Sequence, residues 1–251
     1  MSSVRPSDRD TAAPRPVHYG LARYWHATQE PLYCLLFLLP LVITYEFSAM
    51  MVRRGGGADS SLVAQWVLSR LLGWFGATGT WLPALALVLT LLVWHLLIRA
   101  KWHVHPVYFL LMLVESAVLT LPLFVLGRLF LAAGGAEGVG LPVQLVEKLG
   151  AGIFEELVFR LYLITALLFV TRDLLRWPRG LANGVTIAVA AALFALAHFD
   201  PVGRMPWDVT MFAAYLADGV YLSLVFIGRG LGICTGCHAA YNLTLVLWGV
   251  G

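Results

Sequence analysis

The chain alternates long apolar runs with short polar joints. A membrane-spanning helix needs about 20 mostly apolar residues. Seven stretches fit that requirement: Pro31–Met51, Trp81–Ile98, Pro106–Ala132, Gly150–Val170, Asn183–Phe199, Asp208–Ile227 and Leu231–Val250. A further stretch, Ser61–Gly76, is shorter and contains Arg70, which predicts an amphipathic helix lying in the membrane interface. If it spans instead, the count is eight and the two termini share a side. Residues 1–30 mix Pro, Ser and Arg without a sustained apolar period and read as a mostly disordered polar tail. The apolar run that follows starts too late and is too long for a cleavable signal peptide. The expected fold is therefore all-α, a polytopic transmembrane helix bundle, with residues 31–251 as one membrane-embedded domain.

Composition agrees with the pattern. Of 251 residues, 60% are hydrophobic and 12% charged, against about 45–50% and 25% in soluble domains. Mean hydropathy is +0.80. The net charge of +3 reflects the loops and shows no stripe that would suit a nucleic acid. With seven spans and a cytoplasmic N-terminus, the inside holds Arg5, Arg9, Arg15, Arg23, Arg99, Lys101, Arg172, Arg176, Arg179 and Arg229. The outside then holds only Arg53, Arg54, Arg70, Lys148 and Arg204, so the positive-inside rule places the N-terminus inside. The Ala-, Leu- and Arg-rich style resembles a bacterial chain, and the expected location is the bacterial inner membrane. No sequence repeat is visible, which argues against inverted-repeat transporters.

Ionisable residues inside spans are candidates for function. The densest group is "EELVFR", Glu155 to Arg160. Helical neighbours lie three and four residues apart, so Glu156 and Arg160 pair on one face. Glu155 is rotated about 100° from Glu156 and is left free to face another helix. It suits a general acid or base. In "LFALAHFDP", His198 closes the fifth predicted span and Phe194 sits one turn earlier on the same face. In "CHAAYNLTL", His238 and Asn242 are four apart and face one way. Both can donate hydrogen bonds, which would suit a developing oxyanion; polar glue between helices is the structural alternative. Gly232, Gly236, Ala239 and Ala240 would let helices approach closely here.

The remaining charged positions read as structural. Glu115 and Arg128 share the third predicted span but are too far apart for a direct pair, and His95 is placed to snorkel toward a basic loop. Cys234 and Cys237 form a C-x-x-C that invites a redox or zinc reading. Their small-residue surroundings favour a tight helix contact instead.

Taken together, Glu155, His198, His238 and Asn242 from three spans can meet around one water in a buried polar cavity. The three motifs, "EELVFR", "FALAH" (Phe194–His198) and "HAAYN" (His238–Asn242), resemble the E-E-x-x-x-R, F-x-x-x-H and H-x-x-x-N motifs of the CPBP family of intramembrane endopeptidases, which includes CAAX prenyl proteases and the Abi group. The resemblance covers residues 150–250. It implies that Glu155 and His198 activate a water, that His238 and Asn242 stabilise the oxyanion, and that Glu156, Arg160 and Phe194 support them. It also implies a glutamate-type peptidase without a metal cofactor. A zinc site made by two histidines and a glutamate remains geometrically possible. The implied substrate is a membrane-embedded or lipid-anchored protein or peptide. A non-catalytic immunity or scaffold protein, or a proton-coupled carrier, is the alternative.

Overall fold

In the computed structural model, residues 20–55, 63–73, 79–130, 140–203 and 205–248 are described. The helices run in the order α1 (Leu21–Ala27), α2 (Pro31–Arg54), α3 (Val63–Gly73), α4 (Leu82–Leu97), α5 (Pro106–Leu119), α6 (Leu121–Phe130) and α7 (Leu141–Glu155). Helix α7 continues without a break into a π-helix, π1 (Glu156–Ile164), then α8 (Thr165–Leu168) and a second π-helix, π2 (Phe169–Leu174). Three further helices follow: α9 (Arg179–Leu196), α10 (Val209–Arg229) and α11 (Leu231–Leu247). The architecture is an all-α bundle.

Four helical segments are long and apolar enough to cross a membrane: Pro31–Arg54, Pro106–Leu129, Arg179–Leu196 and Val209–Arg229. Leu82–Leu97 and Leu231–Leu247 are shorter apolar helices. Large side chains such as Leu110, Leu113, Val114 and Val118 on α5 point outward. A patch of that kind belongs against lipid rather than water. The chain is an integral membrane protein.

Three expectations need correction. Residues 21–27, assigned to a disordered tail, form α1; residues 1–19, with Arg5, Arg9 and Arg15, lie outside the described residues, as does Arg204. The third predicted span is one apolar segment over Pro106–Leu129, with a turn at Thr120 between α5 and α6. Arg229, counted as a loop cation, is only 4% exposed. Its Nη2 donates to Glu115 Oε2 at 2.8 Å, its Nε also donates to Glu115, and its Nη1 donates to the Trp25 carbonyl. Tyr24 donates its hydroxyl to the same carboxylate at 2.6 Å. This pair ties α1 and α5 to the end of α10. His95 does not snorkel: it is buried and packs edge-on against Trp102.

The short segment at Ser61–Gly76 is helical over Val63–Gly73 and amphipathic, with Ala64 and Leu68 buried and Trp66 and Arg70 exposed. Its buried face packs on α4 and α7. The main core joins α2, α3, α4, α7 and π1 through Leu38, Leu87, Leu91, Ile153, Phe154 and Leu157. A second core joins α5, α10 and α11 around Met112, Leu222 and Ile233.

Candidate active site

The site forms where α7 and π1 meet α9, α10 and α11. Gly152 fixes how closely α7 and α11 approach. A methyl group there would lie 2.8 Å from the Ala239 Cα and 2.9 Å from its backbone nitrogen. The absence of a side chain thus lets the two helix backbones touch, one turn from the carboxylates on one helix and beside the imidazole on the other.

Glu156 is fully buried and has three partners. Arg160 Nη1 lies 3.2 Å from its Oε1. His238 Nδ1 lies 2.8 Å from the same oxygen, and the Cys234 thiol donates to Oε2 at 3.0 Å. In the wider turn of a π-helix, with its i→i+5 bonds, residues four and five apart stack nearly above one another. That stacking suits the pair of Glu156 and Arg160. The Arg160 guanidinium is 1% exposed and lies over the Phe194 ring at 4.3 Å. A cation–π contact in a desolvated site contributes about 2 kcal/mol.

Glu155 points elsewhere, as the spacing predicts. Its Oε1 is 4.0 Å from His198 Nε2 and its Oε2 is 4.0 Å from His238 Nε2. The second nitrogen of each ring is fixed. His198 Nδ1 lies 2.9 Å from the Phe194 carbonyl, which can only accept, so Nδ1 carries the proton and Nε2 of the neutral ring presents a lone pair to Glu155. His238 Nδ1 faces the carboxylate of Glu156 and is likewise the donor. Phe194 packs edge-on against both His198 and Phe159.

His198 follows α9 in a tight turn. Met205 N donates to the His198 carbonyl at 3.1 Å and Gly203 N donates to the Phe199 carbonyl at 2.7 Å. A methyl group on Gly203 would fall 2.2 Å from the His198 carbonyl carbon and oxygen, so the turn closes only with glycine there. From α10, the Tyr215 ring stacks on His198 at 3.9 Å, nearly parallel at 16°.

Glu155, His198, His238, Asn242 and Phe194 line one cavity of about 250 Å³, together with Tyr215, Asp218, Tyr241 and others. The residues singled out in the sequence therefore meet in one chamber, and Glu156 and Arg160 lie directly behind it. Asn242 has a further engagement that the sequence did not show: its Nδ2 donates to the Lys148 carbonyl of α7 at 3.1 Å. Two wall residues escaped the sequence reading. Asp218 is an ionisable residue inside an apolar run, the same signal that marked Glu155, and Tyr215 lies one turn before it. Cys34, Cys234 and Cys237 are free and buried.

The family model described as Type II CAAX prenyl endopeptidase Rce1-like matches residues 139–244. Over these residues the chain is similar to that family. The matched region runs from the start of α7 into α11 and contains every chamber residue named above; α6 adds Leu123 to the lining. The matched family is one of proteases. No curated protein and no solved structure matches the chain.

Proposed function

We propose that the protein is a glutamate-type intramembrane endopeptidase, which hydrolyses a peptide bond of a membrane-embedded or lipid-anchored protein or peptide with a water activated by Glu155. The observation that carries this reading is the separation of 4.0 Å between Glu155 Oε1 and His198 Nε2 inside a shared cavity. That gap is too long for a direct hydrogen bond and short enough for one water to reach both atoms.

In this reading the water donates one hydrogen to His198 Nε2, which orients it, and gives the other proton to the Glu155 carboxylate. Its oxygen forms a bond to the scissile carbonyl carbon. The oxyanion accepts hydrogen bonds from His238 and Asn242. Because His238 Nδ1 already donates to Glu156, donation from Nε2 needs the ring protonated at both nitrogens. Glu156 supplies the countercharge at Nδ1, and the oxyanion itself supplies it at Nε2, since Glu155 is neutral while it holds the water's proton. The C–N bond then breaks, and the proton held by Glu155 passes to the leaving nitrogen. The products are a carboxylic acid and an amine. General acid–base chemistry of this kind contributes about 10²–10⁴-fold, and each oxyanion donor about 10²–10³-fold.

Glu156, Arg160 and Phe194 position the site, and no metal cofactor takes part. The location we assign is the bacterial inner membrane, with a cytoplasmic N-terminus. Comparing the membrane proteomes of wild-type and Glu155→Ala cells tests the reading. A precursor that stays uncleaved only in the variant supports it. Identical proteomes, with the variant inserted at normal abundance, contradict it.

A further inference from the structure

The two adjacent glutamates of the site are engaged within the protein. Glu156 is held by Arg160, His238 and Cys234, and Glu155 sits between two imidazoles. Asp218 differs. Its Oδ1 is shielded and has no hydrogen-bond partner, and among the described residues no cation lies within 4.0 Å of its carboxylate. Asp218 as a whole is half-buried, and a shielded carboxylate oxygen without a partner is costly. Yet this one lines the cavity.

Tyr215, Asp218 and Leu222 share one face of α10, and all three line the cavity. The same face reaches the reacting centre, because Tyr215 stacks on His198. A substrate group that meets Asp218 is therefore close to the bond that Glu155 and His198 address. We infer that Asp218 is a specificity-determining residue that binds the ammonium or guanidinium group of a basic substrate residue beside the scissile bond. This inference rests on the peptidase reading above. A cationic group supplies the partner that Oδ1 lacks, whereas an apolar side chain of equal length buries it unpaired. Sites that hydrogen-bond a substrate group reject analogues lacking it by up to about 10⁴–10⁵-fold. A chamber of about 250 Å³ leaves room for water to soften the penalty, so a preference of about 100-fold is expected here.

The test uses the full-length protein in lipid nanodiscs and acyl-anchored fluorogenic peptides. The peptides carry Lys, norleucine or Glu at each position flanking the cleaved bond, each with a free or an acetylated N-terminus. Wild-type kcat/KM should favour Lys over norleucine by about 100-fold at one position. Asp218→Asn should bring that ratio near one, Asp218→Glu should restore it, and Asp218→Arg should favour Glu peptides. Acetylation should leave the ratio in place; if it removes the preference, the cation read is the terminal ammonium and the side-chain assignment is wrong. The inference is overturned if wild type shows no preference, if the ratio survives Asp218→Asn, or if folded Asp218→Asn and Asp218→Glu lose every peptide alike. Turnover that survives Glu155→Gln contradicts the peptidase reading itself, and so is distinguishable from a failure at Asp218.

Discussion

His238 Nδ1 lies 2.8 Å from Glu156 Oε1, a contact between α11 and the first residue of π1 that aims the other face of the imidazole at Glu155. The two adjacent glutamates thus grip one ring from opposite sides, one by a direct hydrogen bond and one across a gap. Adjacent helical residues point about 100° apart, and the structure turns Glu156 toward Arg160 and Glu155 toward the two imidazoles.

Glu156 should matter first to stability. Both Glu156 and Arg160 are almost wholly buried, and removing one partner of such a pair costs about 3–5 kcal/mol. Glu156→Leu alone should lower the melting temperature in detergent sharply. Glu156→Leu combined with Arg160→Met should recover most of that loss, because no charge is left unpaired. The double variant should remain inactive, since His238 has lost its anchor. A double variant as unstable as the single would contradict this account.

Gly152 should tolerate no side chain. The methyl group of Gly152→Ala meets backbone atoms of Ala239 at 2.8–2.9 Å, and neither helix can yield locally. Overpacking of this kind costs about 1–3 kcal/mol. The shift should fall on the distance between Glu156 and His238, so peptidase activity should drop more than the folded fraction does. Comparing specific activity with the folded fraction by size-exclusion chromatography checks this.

Much of this was legible in the sequence. The apolar runs marked the helices, and the spacing of Glu156 and Arg160 predicted their pair and the freedom of Glu155. Proximity of Glu155, His198 and His238 was legible only as a possibility, because spacing within helices says nothing of how helices are arranged. The π-helix at Glu156–Ile164 left no trace, since apolar periodicity does not separate i→i+4 from i→i+5 bonding over so short a run. Arg229 was misread as a loop charge because its partner, Glu115, is distant in sequence. Asp218 carried the signal of a charge inside a span and was passed over.

Asn242→Ala should lower kcat by about 10²–10³-fold with little change in KM, the pattern of a donor used in the transition state. The bond from Asn242 to the Lys148 carbonyl adds a structural contribution, which the melting temperature reads separately. A change confined to KM, or to stability alone, would argue that Asn242 serves only as a tie between α7 and α11.

Arg229→Met should act in the opposite way. It leaves Glu115 without its cation at the junction of α1, α5 and α10, away from the chamber. Thermal stability should fall, while the specific activity of the folded protein stays close to wild type. A loss of kcat at full stability would place the Glu115–Arg229 pair within the catalytic machinery instead.

Hydrolysis of an acyl-anchored peptide by the purified protein in nanodiscs, with and without the Glu155 carboxylate, tests the central claim most directly. Glu155→Gln keeps the size and polarity of the side chain but cannot take up a proton. The account predicts a fall in kcat of about 10²–10⁴-fold with unchanged folding, and no loss of wild-type activity in chelators such as EDTA. A Glu155→Gln protein that cleaves within a few-fold of wild type would contradict it.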